Sequence, residues 1–321
     1  MKKISLLLAL AMLLSLTACR KKEPEPPAPP EPPAPVEEDV LRLEELRLEF
    51  PRNGLAKAEL AQAVKQMPEL LKTYFAETGT VEAERITVTV GSSPAATAQS
   101  LAEGHIDLAF LPGTAFAALD DGAAALLADA RPVDDGSFRS GTRALLCAAP
   151  TAYGEQLAGR SSSGKPLSRT EVERAHWGTV EGTVSGCFEL WLADSFGEPF
   201  GGTVTAYDSE EALFRAAADK EVDAIAIRDD AREAAKDTWT GDSAIREQLP
   251  VMDTTQTVYT TVAAVRPELA EGAFPPALEQ VLQRMSEEYP ELMAALGAEA
   301  FAPVTEDGLT ATQRLAALAE E

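Results

Sequence analysis

Thr183, Ser185 and Gly186 are the residues whose types and spacing best suit chemistry on a ligand, and that chemistry is anion capture. Residues 177–180 read as a strand, 181–185 as its turn and 186–196 as an amphipathic helix, so both hydroxyls stand where a helix begins. A helix start carries unpaired N–H groups and a partial positive charge, and it can hold a phosphate, phosphonate, sulfate or carboxylate with no formal cation. The same residues also serve as plain caps, contributing about 1 kcal/mol without any ligand. Further candidates follow other strands. Gly113 and Thr114 follow the apolar run 106–111 and Pro112, at the carboxyl end of a strand, where open α/β sheets bind ligands. Ser93 stands before Pro94 at another helix start, Arg52 and Asn53 follow the first strand, and Tyr259 is a strand aromatic placed to line the same space. Arg52 has the planar fork for a bidentate contact with an anion, and a turn residue pointing into water is the competing reading.

Catalysis has little to work with. The two histidines, His105 and His176, lie in separate segments, and there is no H-E-x-x-H spacing for a metal. Thr183 takes the place of the first glycine in what would be a nucleophile elbow around Ser185. No catalytic residue, metal site or cofactor is assigned, and the protein is read as a binder and not an enzyme.

The elements that must position these residues alternate strand and helix, the pattern of βαβ units and a mainly parallel sheet. Residues 45–50 and 86–90 alternate with period two, 55–77 is helical with a break expected at Pro68, and 106–111 reads as a strand buried on both faces. A second copy follows 116 residues later: Gly104-His105-Ile106-Asp107 matches Lys220-Glu221-Val222-Asp223, each closing a helix and opening a buried strand. The stronger reading of Asp107 and Asp223 is a shared structural role. Residues 134–141 and 153–170 read as polar Ser- and Gly-rich loops. Between them 142–149 is apolar enough to cross from one lobe to the other, and 254–265 supplies the return crossing. Helices are expected at 276–288, 290–296 and 310–320.

The formal charge of -24, with 52 acids against 28 bases, excludes a surface that tracks nucleic-acid phosphates. At the N-terminus, Met1-Lys2-Lys3 and the apolar residues 4–16 have the length of a signal peptide, too short for a membrane span. The run Leu16-Thr17-Ala18-Cys19 resembles the lipobox of bacterial lipoproteins, and that resemblance implies cleavage before Cys19 and lipid on its sulfur. Residues 20–39, rich in Pro and Glu, read as a stiff solvated tether. An exported location would permit Cys147 and Cys187 to pair, although two separate buried thiols is the preferred reading.

The order of motifs from 46 to 296 resembles the phosphonate-binding, PhnD-like family of type II periplasmic binding proteins that serve ABC importers. Three segments carry it: 98–111, the loop Gly182-Thr183-Val184-Ser185-Gly186, and Glu221-Val222-Asp223-Ala224. Phe116 and Tyr207 depart from it, standing where the family often has Tyr and His. The resemblance implies an α/β, two-lobed type II clamshell with two hinge crossings. The expected organisation is a signal peptide (1–18), a lipidated tether (19–40), one lobe from 41–145 with 257–321, and a second lobe from 146–256. The implied function is an extracytoplasmic, lipid-anchored solute-binding protein, a monomer, that captures a small anion (phosphonate, phosphate or a similar oxyanion) and passes it to a membrane ABC permease. A sensor or scaffold lipoprotein with the same fold is the alternative, and a hydrolytic enzyme ranks below it.

Overall fold

The structure is a computed structural model, and it describes residues 40–52, 56–119, 122–132, 138–197, 199–241 and 243–319. The lipobox with Cys19, the tether up to residue 39 and Asn53 lie outside the described residues.

Alternation in β1 (Leu41–Phe50) buries Leu46, Leu48 and Phe50. In α1 (Lys57–Thr78) the buried stripe Leu60, Ala63, Met67, Leu71, Tyr74, Phe75 keeps its spacing of three and four across Pro68. The expected break at Pro68 therefore does not occur, because burial of Met67, Leu71 and Phe75, each about 1.5–3 kcal/mol, outweighs a lost backbone bond and ring clash of about 3 kcal/mol. After β2 (Val81–Val90), Ser93 caps α2 (Pro94–Ala102) by accepting the Ala96 N–H at 3.2 Å. Then come β3 (Leu108–Pro112), the short α3 (Gly113–Ala117), β4 (Ala124–Pro132) and β5 (Phe138–Ser140). The last of these puts a strand where residues 134–141 read as loop.

The chain then passes into β6 (Ala144–Ala148), α4 (Ala152–Ser162), α5 (Arg169–Arg174), β7 (His176–Val180) and α6 (Thr183–Phe196). Residues 153–170, which read as loop from their Ser and Gly content, thus carry helix. Thr151 caps α4, Leu157 and Val172 are buried, and the Tyr153 hydroxyl donates to the Glu171 carbonyl at 3.1 Å. Tertiary burial overrides composition here. There follow β8 (Thr203–Tyr207), α7 (Glu210–Ala218), β9 (Ala224–Arg228), α8 (Ala231–Ala234), α9 (Ile245–Gln248), β10 (Val251–Thr254) and β11 (Thr261–Val265). The chain ends with α10 (Phe274–Glu288), α11 (Pro290–Leu296), β12 (Ala300–Pro303) and α12 (Glu306–Leu318). Sequence periodicity leaves β4, β8, β10 and β12 unmarked, and it starts α12 four residues late.

Two sheets result. One has seven strands in the order β12-β4-β11-β3-β1-β2 with β5 on β4, and the other has five, β10-β6-β9-β7-β8. In each, the three strands of the βαβ repeat are parallel (β2-β1-β3 and β8-β7-β9), and the strand arriving from the other lobe, β11 or β6, pairs antiparallel beside them. This is the expected two-lobed α/β arrangement with two crossings. The crossings lie side by side: Thr142 and Val258 exchange both backbone hydrogen bonds at 2.8 Å. The predicted single return strand over 254–265 is instead the end of β10, this bridge, and β11. A third connection has no counterpart in the sequence reading. Helix α12 puts Leu309 on the first lobe's apolar cluster that includes Phe116 and Tyr259, and Ala311, Leu315 and Leu318 on the second lobe's cluster that includes Cys187 and Phe188.

The repeat is structural down to single atoms. The Asp107 N–H donates to the Arg47 carbonyl at 2.8 Å and its carboxylate accepts the Arg47 N–H at 2.8 Å. In the second lobe the Asp223 N–H donates to the His176 carbonyl at 2.8 Å and its carboxylate accepts the His176 N–H at 3.1 Å. Each helix before these aspartates ends in the left-handed region, at Gly104 with φ 72° and Lys220 with φ 62°. Only the first copy has the glycine that this conformation favours. Lys220→Gly is accordingly expected to stabilise the protein by ~0.5–1 kcal/mol, read as a rise in the urea midpoint with an unchanged m-value.

Candidate functional site

In both sheets the carboxyl ends of the parallel strands are the edge where an open α/β fold presents a ligand site. On the first sheet Phe50, Val90 and Pro112 end these strands, and on the second Val180, Tyr207 and Arg228 do. The helices that start there differ in how they are capped. Ser93 and Ser209 each accept the N–H three residues on, at 3.2 Å, and so satisfy one donor at the starts of α2 and α7 with their own oxygens. At α6 the N-cap is Gly182, whose φ of 108° suits glycine alone and which offers no side-chain oxygen. The first intrahelical bond runs from the Gly186 N–H to the Gly182 carbonyl at 3.1 Å, and the Ser185 hydroxyl donates to the same carbonyl at 2.7 Å. The N–H groups of Thr183, Val184 and Ser185 have no partner among the described residues. The helix begins at Thr183, three residues earlier than the sequence reading. Gly186 is half-buried, and a Cβ there would lie 3.1 Å from Leu315 of α12.

The other predicted residues separate into exposed and committed ones. Thr114 and Arg52 are exposed at their strand ends, and Ser93 is exposed and occupied as a cap. Gly113 is buried, its N–H donates to the Thr260 carbonyl at 3.0 Å, and a Cβ would come within 2.0 Å of the Tyr259 carbonyl oxygen. Its role is therefore close backbone approach. Tyr259 is 3 % exposed. Its hydroxyl accepts the Thr305 N–H at 2.8 Å, and its own N–H donates to Thr312 at 2.9 Å. The ring anchors α12 and its polar atoms are taken, so it does not present them to a cleft.

Charged residues that the sequence reading missed lie between the two sheets. Asp229, with 1 % of its side chain exposed, follows β9 and is met by three guanidinium groups: Arg131 at 3.0 Å, Arg139 at 2.8 Å and Arg143 at 3.1 Å. Arg131 also reaches Asp230 at 2.9 Å, and Arg228 pairs with Asp230 and lies 3.9 Å from Glu210. Arg131 and Arg139 belong to the first sheet's β4 and β5, whereas Asp229 and Asp230 belong to the second lobe. A recess of about 350 Å³ lined by Asp129, Arg131, Thr142, Arg228, Thr260 and Glu299 adjoins the cluster. One clue was in the sequence: the repeat offset carries Gly113 and Thr114 onto Asp229 and Asp230. Nothing local marked the arginines, because β4 and β5 were not legible as strands.

Burial works against ionisation of Asp229, but the arginines outweigh it and hold its carboxyl below the usual range. Asp129, which accepts the Thr260 and Thr261 N–H groups at 2.8 and 3.1 Å, is pushed up because burial dominates there, and Glu210 is pushed up for the same reason. Cys147 and Cys187 are free and buried in different clusters, and burial pushes both thiols up to about 12, so neither supplies a thiolate at neutral pH. His176 shares a 2.8 Å hydrogen bond with Thr205, and His105 lies on the surface beside Glu103. Among the described residues no group of His, Cys, Asp and Glu could hold a metal ion, and no helix is long and apolar enough to cross a membrane.

Residues 54–309 match the family described as the periplasmic substrate-binding protein of a phosphonate ABC transporter. No curated protein matches the chain. Among solved structures, XAC2383 from Xanthomonas citri bound to ATP is 15% identical over 85% of this chain and 96% of its own, with a TM-score of 0.46. PhnD1 from Prochlorococcus marinus in complex with methylphosphonate is 10% identical over 86% and 98%, with a TM-score of 0.38. The aliphatic sulphonate binding protein SsuA from Escherichia coli is 16% identical over 86% and 86%, with a TM-score of 0.39. Those scores are low, and the family match is what carries weight.

The Asp229 cluster predicts a pH signature. A carboxyl held below its unfolded value contributes stability above that value, about 3.9, which is lost as pH falls through the folded pKa. Asp229→Asn is expected to cost about 2–4 kcal/mol at pH 7, because it strands partly buried guanidinium groups. Urea unfolding at pH 7 and at pH 3 should show the gap between wild type and variant narrowing at the lower pH.

Proposed function

The chain belongs to the phosphonate-type family of periplasmic substrate-binding proteins of ABC transporters, and from that membership we propose that it captures a small oxyanion between its lobes at the start of α6. In this reading residues 41–145 with 257–321 form one lobe and 146–256 the other. One observation carries the choice of site: α6 starts on Gly182 with the Thr183, Val184 and Ser185 N–H groups all open, whereas at the corresponding helices α2 and α7 a serine side chain takes the N–H of the third helical residue. Oriented N–H dipoles and the Thr183 and Ser185 hydroxyls suit a phosphonate, phosphate or sulfate, and they act locally despite a net charge of -24. Thr114 and Arg52, exposed at first-lobe strand ends, are positioned by the same reading to close on the ligand from the opposite side.

The lipobox-like run before Cys19 supports anchoring at the extracytoplasmic face of a membrane, with the Pro- and Glu-rich tether holding a monomeric body within reach of the permease. Replacing Cys19 by serine is expected to move the protein from the membrane fraction to the soluble fraction, as read by fractionation and immunoblot.

Titration calorimetry with methylphosphonate, phosphate and sulfate tests the ligand. Thr183→Ala combined with Ser185→Ala is expected to weaken the tightest of these by about 1–3 kcal/mol, the scale of hydrogen bonds to charged groups. Equal affinity in variant and wild type would remove α6 as the site, and no heat from any of the three would remove the oxyanion.

A further inference from the structure

We infer that Arg131, Arg139, Asp229 and Asp230 form an ionic latch that holds the two lobes together and sets how readily the cleft between them opens. The partners come from opposite sides. Arg131 and Arg139 stand on β4 and β5 of the seven-stranded sheet, and the aspartates follow β9 of the five-stranded sheet. Four ion pairs of 2.8–3.1 Å join Arg131, Arg139 and Arg143 to the two carboxylates, and Arg143 sits in the crossing segment itself. Arg131 also donates to the Gly141 carbonyl at 3.2 Å, which ties the same side chain to the first crossing.

The burial pattern is that of a device that can open. Asp229 is 1 % exposed, but Arg139 and Arg143 remain 43 and 41 % exposed, so solvent ions reach the outer half of the cluster. An exposed pair is screened by salt, whereas a buried one is screened much less. The latch therefore responds to ionic strength although its central carboxylate is covered. Hinge motion also has a route. The crossings share a two-bond bridge at Thr142 and Val258, and opening need break no strand ladder, because among the described residues no strand of one sheet pairs with a strand of the other. Both aspartates sit at the repeat positions of Gly113 and Thr114, so the lobe that receives the arginines has charge where the other has none.

The inference concerns the regulation of the proposed binding cleft, and its test does not require a ligand. Dyes on Ser92→Cys and Asp208→Cys, exposed residues at corresponding strand ends of the two lobes, report the opening by energy transfer in the full chain. Cys147 and Cys187 are buried and stay unlabelled, and Cys19 is replaced by serine. Energy transfer is expected to fall when salt is raised from about 0.1 M to about 1 M, where the screening length shrinks from ~10 to ~3 Å. It is expected to fall already at low salt in Arg131→Ala and to be restored in part by Arg131→Lys. Arg139→Ala, which loses one exposed partner, should show a smaller fall in the same direction, and it serves if Arg131→Ala does not fold. Unchanged transfer with salt, and in whichever of these variants fold, would overturn the latch. Methylphosphonate binding is measured alongside. Transfer changes without any binding would remove the oxyanion reading while supporting the latch, and binding without transfer changes would do the reverse.

Discussion

Two carboxylates, one buried and one half-buried, set the positions from which the rest of the molecule is built. Asp107 and Asp223 each exchange backbone and side-chain hydrogen bonds with the first strand of their βαβ repeat, at Arg47 and His176 respectively. A carboxylate that accepts a backbone N–H inside a fold is costly to leave unpaired, so the register between first and third strands has little freedom. That register decides where β3 and β9 emerge at their carboxyl ends, and hence where Pro112-Gly113-Thr114 and Arg228-Asp229-Asp230 stand. The two copies solve the surroundings differently. Asp107 is supported by the guanidinium groups of Arg47 and Arg266, and Asp223 by the Thr151 hydroxyl at 2.7 Å.

From those strand ends, the division between structure and binding follows from which backbone groups are already satisfied. Ser93, Ser209, Thr151 and Thr305 each accept one N–H of the helix they precede. Gly182 offers no such oxygen, and the Thr183, Val184 and Ser185 N–H groups stay without a partner among the described residues. Tyr259 shows the opposite economy: a strand aromatic with a hydroxyl looks like cleft lining in sequence, but it becomes the anchor of α12 because Thr305 and Thr312 take both of its polar ends. Through that anchor the C-terminal helix touches both cores beside the hinge. The two lobes are thus joined by crossings, by a helix and by ion pairs, each of a different stiffness.

Much of the fold was legible because it repeats. The match of Gly104-His105-Ile106-Asp107 to Lys220-Glu221-Val222-Asp223, and of Ser93 to Ser209, follows from one local rule applied twice: cap, helix, left-handed turn, buried strand. Residues 153–170 misled because their Ser and Gly content speaks for loop, while burial of Leu157 and Val172 speaks for helix and is visible only once β6 and β7 are in place. Pro68 misled in the same way, since a helix propensity is a local term and the buried stripe of α1 is not. The strands β4, β8, β10 and β12 carry no clear alternation, and they are held by neighbours supplied from distant sequence.

The sequence by itself determined the lobed α/β class, the repeat and the nearness of Thr183 and Ser185 to a helix start, because each depends on residues close in the chain. Only the tertiary structure decided which candidates remain available to a ligand and which charges face one another across the lobes. Arg131 and Asp229 are 98 residues apart, and no local pattern of hydropathy or spacing encodes the meeting of two side chains that only the packing of two sheets brings within hydrogen-bond distance.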